Sequence, residues 1–482
     1  MYLGIDLGTS GLRALMTDAS GQPVASAEAQ YSAQHPHPGW SEQDPGSWIA
    51  ALDQAMAQLQ GTPGYGGIRG IAVAGHMHGA VLLDRDDQVL RPCILWNDTR
   101  SAAEAAELDA TDEVRSLSGN IVFPGFTAPK LLWVQRHEPE IFSKTAKVLL
   151  PAAYLNLHLT GRHVADMSDS AGTSWLDVGA RDWSERLLGA GHMRRDQMPD
   201  LVEGCGAAGI LRAELAARWG LRPDVVVSGG AGDNAAAACG TGVMAEGQGF
   251  VSLGTSGVVL AARDGFHPDP ATAVHTFCHA IPDRWYQMGV MLSATDCMNW
   301  LGRITGRSPA ELTAPIGDQL GPPGTATFFP YLSGERTPHN SAKLRGGFEG
   351  LGVQTTTDDL ARAVMEGVSF GLRDCLEALK ATGAGLERCL VIGGGSKSLY
   401  WVRLLATVLN LPLCLPKDGE FGAALGAARL ARLAVTGEPP SEVLLTPEIA
   451  QVIEPEAALR EQYEARYQLF RRQTAERLKP VA

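Results

Sequence analysis

The chain has 482 residues, 45% of them hydrophobic, enough material for two or more cored domains. A formal charge of −13 argues against a nucleic-acid backbone or an anionic membrane as main partner, because either calls for a basic face. No apolar run approaches the roughly 18 residues of a membrane span, and Asp6 interrupts the N-terminus before a signal-peptide core can form, so a cytoplasmic setting is expected.

In chain order, MYLGIDLGTSGLRALMTD (1–18) reads as a β-hairpin: apolar strand, Gly-Thr-Ser-Gly turn, second apolar strand. GWSEQDPGSWIAALDQAMAQL offers Asp44 and Pro45 as a helix start, with Trp48, Leu52, Met56 and Leu59 at helical spacing. GIRGIAVAGHMHGAVLLDRDDQVLRPCILWNDTR reads as strand, glycine-bounded loop, strand, turn and strand end. His76–Gly79 and Trp96–Arg100 then fall at strand termini, where α/β folds bind ligands. A helix is expected over Ala128–His137, followed by apolar segments through Leu149–Leu159 whose order the pattern leaves open. In VVVSGGAGDNAAAACG (225–240) a buried-type strand runs into a helix with Asp233 and Asn234 at its N-terminus. The domain break is expected just beyond, giving a first lobe 1–245 and a second lobe 246–482.

The second half opens on GQGFVSLGTSGVVLAARD (247–264), a repeat of the first hairpin. PYLSGERTPH (330–339) follows, then a helix at TTTDDLARAVMEGVSFGLRDCLEALKATG. In CLVIGGGSKSLYWVRLLATVLNLPL a β-type run, Leu390–Ile392, meets Gly393, Gly394 and Gly395 ahead of a helix, the form of a nucleotide-contacting loop. EFGAALGAARLARLA reads as a small-residue helix able to pack closely, and the tail from about residue 455 as an amphipathic charged helix for either lobe. The eight cysteines show no C-x-x-C pair and no metal-type spacing, so reduced, mostly buried thiols are expected.

Neither a Walker G-x-x-x-x-G-K-[ST] nor a G-x-G-x-x-G fingerprint is present, so phosphate binding rests on the paired turns. Glycine lets another group approach, while Thr and Ser add hydroxyls beside the exposed N–H groups. The copies differ where the first has Asp6 and the second Ser252, an asymmetry that suits a phosphate site with one cation-orienting acid. Asp233, in GGAGDNA, stands at a glycine-exposed helix start within reach of a substrate hydroxyl; a plain N-cap aspartate is the alternative. HMHG supplies two imidazoles without a nearby acid or Cys cluster, so a hydroxyl-reading pocket wall fits better than a metal site. WNDTR joins a flat ring to amide, carboxylate and guanidinium, either a sugar-reading set or a surface turn.

GIDLGTSGLRA, GHMHGAVLLD, ILWNDTR, FTAPKLLWVQRHEPEIF, DMSDSAGTSWLDV, GGAGDNAAAACG, SLGTSGV, PYLSGERTPH and IGGGSKSLYW together resemble the FGGY family of carbohydrate kinases, in order and to about residue 435. The resemblance implies an α/β fold, the two-lobed actin-like ATPase (ribonuclease H-like) arrangement, each lobe a mixed sheet flanked by helices, with ATP and sugar in the cleft. It implies Asp233 as general base and Asp6, with Asp233, as the carboxylates organising Mg²⁺. On the sugar side it points to His76, Met77, His78, Gly79, Trp96, Asn97, Asp98, Asp233 and Asn234. For the ATP phosphates it points to Gly8, Thr9, Ser10, Arg13, Gly254, Thr255 and Ser256, and for adenosine to Gly393, Gly394, Gly395 and Ser396. The implied activity is transfer from ATP to O5 of D-xylulose, with D-ribulose, L-xylulose or D-arabitol as alternatives; a nucleotide-driven switch is the rival from another class. The expected partners are the sugar and ATP, with no nucleic acid and no membrane, and a homodimer is left open. The chain departs from the common family pattern at His76, where Gln is more frequent, at Ala152-Ala153, where Lys-Asp is, and at Arg13, where Lys also occurs.

Overall fold

The computed structural model describes residues 1–417 and 422–479, and in it each glycine-turn hairpin founds a mixed sheet. In the first lobe Tyr2–Leu7 (β1) pairs antiparallel with Gly11–Thr17 (β2), and β2 with Pro23–Gln30 (β3). The helix Pro45–Leu59 (α1) starts where Asp44 accepts from Gly46 N at 2.9 Å, and it buries Trp48, Leu52, Met56 and Leu59 on one face. It leads into Gly70–Gly75 (β4), parallel to β1 and buried at every position. Helices Thr127–His137 (α2) and Pro151–Thr160 (α3) precede three short strands, Ala207–Ile210 (β5), Val226–Ser228 (β6) and Ala231–Gly232 (β7). The sheet order is β5-β6-β4-β1-β2-β3, with β7 also on β4, and Asp233–Thr241 (α4) begins directly after β7.

The second lobe repeats this plan. Gly249–Leu253 (β8) and Gly257–Arg263 (β9) form the hairpin, with His275–Cys278 (β10) and Trp285–Met291 (β11) extending its edge. Thr295–Thr305 (α5) and the long amphipathic Thr357–Ala381 (α6) follow, the latter capped by Thr356 with Asp359. Cys389–Ile392 (β12) runs parallel to β8, then come Leu399–Leu409 (α7) and Leu413–Pro416 (β13). Ala423–Thr436 (α8) separates β13 from the edge strand Ile449–Ile453 (β14), in a sheet ordered β10-β11-β9-β8-β12-β13-β14. In both sheets a carboxylate or hydroxyl on the hairpin's first strand, Asp6 or Ser252, ends beside the same kind of turn.

Helix α8 crosses between the lobes. Its neighbours in sequence are strands of the second sheet, yet it packs on β1 and β4 of the first sheet and on α4. Two glycines make that contact possible: a Cβ on Gly4 would lie 1.9 Å from Ala424 O, and one on Gly426 would lie 1.7 Å from Ala236 O. Arg429 of α8 donates to Cys239 O and Gly240 O at 2.9 Å each, adding a donor to the carbonyls of the last turn of α4. Glu420 and Phe421, which the sequence reading joins to this helix, lie outside the described residues. A second set of contacts joins the lobes: Asn120 exchanges hydrogen bonds with Thr276 of β10 at 2.9 and 3.0 Å, and Trp285 Nε1 donates to Val178 O at 2.8 Å. The tail helix Arg460–Arg477 (α9) buries Tyr463, Tyr467 and Phe470 on the second lobe. Among the described residues no helix is long and apolar enough to cross a membrane, and all eight cysteines are free, Cys205 alone only partly buried.

Candidate active site

Three first-lobe side chains pin the first turn, Gly8–Ser10. Tyr31 Oη donates to Gly8 O at 2.6 Å, Gln43 Nε2 to Thr9 O at 2.5 Å, and Trp96 Nε1 to Thr9 Oγ1 at 3.0 Å. Because the indole N–H fills a lone pair on Thr9 Oγ1, the hydroxyl's own proton is left for another acceptor, such as a phosphate oxygen. Arg13 stands opposite Asp6 across the hairpin and lies 3.6 Å from Glu28.

The second turn, Gly254–Ser256, rests on the start of α5: Gly254 O accepts from Thr295 N and Oγ1 at 2.9 and 2.8 Å, and Thr255 O from Ala294 N at 2.8 Å. Gly393, with φ of 92°, lies against this turn so closely that a Cβ would sit 2.7 Å from Leu253 O. Gly394 faces open space, and Ser396 Oγ turns back to donate to Gly393 O at 2.7 Å. A cavity of about 540 Å³ opens here, between Gly394, Gly395 and Lys397 on one side and Thr295, Asn299, Pro309 and Ala310 on the other. That volume suits a nucleoside. The sequence reading found the glycine loop but missed Thr295, Asn299 and the 309–310 segment, which carry no local motif. A larger cavity of about 730 Å³ lies elsewhere, between the 20–23 turn and α8, and contains none of these residues.

Asp6, near the end of β1, lies within the field of Asp233 at the start of α4. Burial pushes Asp6 up to about 7, helped by the charge of Asp233 and opposed by Arg13. Asp233 is the first residue of α4, with Gly232 as the cap, so the plain N-cap alternative does not describe it. Burial raises it to about 6, while Asn234 N and Nδ2 donate to Oδ1 at 2.7 and 2.9 Å and pull the other way. Asn234 therefore orients the carboxylate and leaves Oδ2 to another partner. A third acid, missed in the sequence reading, is Asp169: it is buried, neither oxygen has a hydrogen-bond partner, and burial with the charges of Asp166 and Asp233 holds it well above the usual carboxylate range. Among the described residues no cluster of three or more His, Cys, Asp or Glu could by itself hold a metal. Two buried carboxylates, each raised by burial and Asp6 further by the charge of Asp233, fit a divalent cation that brings most of its ligands as phosphate oxygens and water.

The residues of the expected sugar wall diverge. His78 donates from Nδ1 to Gly172 O at 2.7 Å and stacks on Phe126 at 4.4 Å. Burial lowers it to about 3, so the ring is neutral and Nε2 keeps a lone pair able to accept a hydroxyl proton. Its backbone is left-handed, φ 71°, and its carbonyl is held by the buried Lys130 Nζ at 2.7 Å and by Thr127 Oγ1 at 3.2 Å. Met77 packs between Gly232, Gly172 and Tyr286. The ring of His76 is fully buried, edge-on to Trp48 at 5.5 Å, and neither nitrogen has a hydrogen-bond partner. Gly79 serves packing, since a Cβ would come within 2.7 Å of Pro151 Cγ. The oxygens of Asp98 are taken by Arg100 and by Ser41 N at 2.6 Å, and Arg100 in turn lies 3.6 Å over Trp40. Asn97 is exposed beside the 35–41 loop, on a separate surface groove. Ala152 and Ala153 are buried, and Ala152 backs onto Gly75, where an added Cβ would lie 2.9 Å away. They shape the wall from behind.

Two like sheets, a glycine turn from each, a nucleoside-sized cavity on the second lobe and carboxylates on the first define a two-lobed phosphotransferase of the actin-like ATPase fold. The comparisons agree: the models of the FGGY family of carbohydrate kinases match residues 1–240 (N-terminal domain) and 249–435 (C-terminal domain). The chain belongs to that family. It is 47% identical to the xylulose kinase of Escherichia coli K12 over 98% of both chains, and 49% identical to that of Klebsiella pneumoniae over 93% of this chain and 92% of the other. Among solved structures, the xylulose ("xyloylose") kinase of Brucella ovis superposes with a TM-score of 0.96 at 54% identity, covering 98% of this chain and 99% of that one. A gluconate kinase from Lactobacillus acidophilus reaches 0.92 at 25% identity, covering 99% and 98%, so the same architecture serves other sugars.

Proposed function

We propose that the protein transfers the γ-phosphoryl group of ATP to O5 of D-xylulose, giving D-xylulose 5-phosphate and ADP, in the cytoplasm. The observation that carries the reading is Asp233, oriented by Asn234 with Oδ2 free, in the same lobe as the neutral acceptor His78, whose neighbour Met77 packs on Gly232. The sequence likeness to xylulose kinases supports the choice of sugar.

In this mechanism Asp233 Oδ2 takes the proton from the C5 hydroxyl as O5 bonds to the γ-phosphorus, and the bond to the bridging oxygen breaks with its electron pair leaving on ADP. His78 Nε2 accepts from another sugar hydroxyl and fixes the chain's direction. Thr9, Ser10, Thr255 and Ser256 offer hydroxyls and backbone N–H groups to the phosphates from both sides, and Arg13 adds positive charge. Asp6 and Asp233 are the residues that would hold Mg²⁺, whose chemistry when bound is to offset phosphate charge.

ADP release with Mg-ATP against D-xylulose, D-ribulose, L-xylulose, D-arabitol, xylitol, gluconate and no sugar tests the reading. The highest kcat/KM is expected on D-xylulose. A preference elsewhere in the panel overturns the substrate, and equal turnover without sugar overturns the kinase in favour of a nucleotide-driven switch.

A further inference from the structure

Arg336, from the SGERTPH segment of the second lobe, ends on the first lobe's sugar wall. Its guanidinium carbon lies 5.0 Å above the ring of Phe123, and Nη1 donates to Nε2 of His275 at 3.4 Å. His275 stacks on Phe277 at 5.4 Å and lies 5.2 Å from Phe123 and 5.7 Å from Phe126, the residue on which His78 stacks. The positive charge is felt at His78 itself. Among the described residues no carboxylate comes within 4.0 Å of Arg336: its neighbour Glu335 acts on it by charge but spends Oε1 on Leu292 N at 2.9 Å and Arg336 N at 2.8 Å. A guanidinium largely withdrawn from water is usually paired. This one keeps further N–H donors, half-buried, beside a wall whose own polar group, His78 Nε2, only accepts.

We infer that Arg336 is a specificity-determining residue for the sugar, donating from the second lobe to an oxygen of the ketose chain while His78 and Asp233 accept from its hydroxyls. The inference rests on the sugar-kinase reading and deepens it. An open-chain ketose carries a carbonyl that can only accept, so a pocket made of acceptors alone reads it incompletely. A donor delivered by the other lobe supplies that contact and makes the full set of sugar contacts depend on the two lobes being together.

The test is the ratio of kcat/KM for D-xylulose to that for xylitol, which lacks the ketone, and to that for D-ribulose, which inverts the C3 hydroxyl. Arg336→Met and Arg336→Lys are compared with the wild type in one assay. A ratio is blind to the fraction of enzyme folded, so it separates recognition from stability. In Arg336→Met at least one of the two ratios is expected to fall by about 10-fold or more, with KM for ATP within about twofold, and Arg336→Lys to fall less. Ratios unchanged for both sugars overturn the inference, whatever happens to kcat; so does a proportional rise in KM for ATP. A wild type that prefers neither ketose overturns the substrate reading instead, a result seen in the wild-type arm alone.

Discussion

At Asp233 the two carboxylate oxygens have unequal surroundings, Oδ1 held by Asn234 and Oδ2 without a side-chain donor. Asp233→Asn is expected to lower kcat by at least ~10²-fold while Kd for ATP, measured by calorimetry, stays within about twofold. With burial holding the acid at about 6, the protonated form dominates below that pH and cannot accept the substrate proton. Activity is therefore expected to rise with pH through 6, falling on the acid side by about tenfold per pH unit. A flat profile between pH 5 and 8 would remove Asp233 from the role of base. The residues that sequence alone identifies here are those whose chemistry follows from local backbone: Asp233 at a glycine-bounded helix start, Thr9 and Ser10 in a tight turn. His76, Met77 and His78 are consecutive yet point to three environments, because the left-handed backbone at His78 redirects the chain. The anchors of that backbone, Thr127 and Lys130, lie some fifty residues on and leave no signal near it.

Among the elements, the first turn is the one whose support was hidden. Trp96 reads in sequence as part of a sugar motif, but its indole N–H is spent on Thr9, 87 positions away. Trp96→Phe keeps the ring and removes that donor, so kcat is expected to fall about fivefold, the worth of one net hydrogen bond, with KM for the sugar little changed. The opposite split, a raised sugar KM at normal kcat, would make Trp96 a sugar contact. The two hairpins and the strand-GGG-helix junction were legible because each is a short-range pattern of apolar alternation and glycine. The α4–α8 seam was only half legible: small residues announced close packing, but not on which lobe. Gly426→Ala places a methyl 1.7 Å from Ala236 O and is expected to cost about 1–3 kcal/mol or more, seen as a Tm lowered by several degrees. Gly61→Ala, whose methyl meets nothing within 4 Å, is the control and should leave Tm nearly unchanged.

For the whole molecule, order along the chain and order in space part company at α8. The second sheet is assembled from residues 249–453, yet residues 423–436 bury one face against the first sheet and α4. A fragment ending at residue 245 would expose the apolar faces of β1 and β4, so it is expected to aggregate. The same fragment joined through a flexible linker to residues 422–437 should stay soluble and give a cooperative melt. Equal solubility of both fragments would show that α8 is dispensable to the first sheet.

Gly4 and Gly426 also limit which halves can be exchanged. A hybrid built by joining the first half of one relative to the second half of another would carry a foreign helix into a seam with no room for a single methyl group. Residues 423–436 are therefore tied by packing to the first half though they lie in the second, and substitutions along them are expected to track those in β1 and α4 rather than those of their own neighbours.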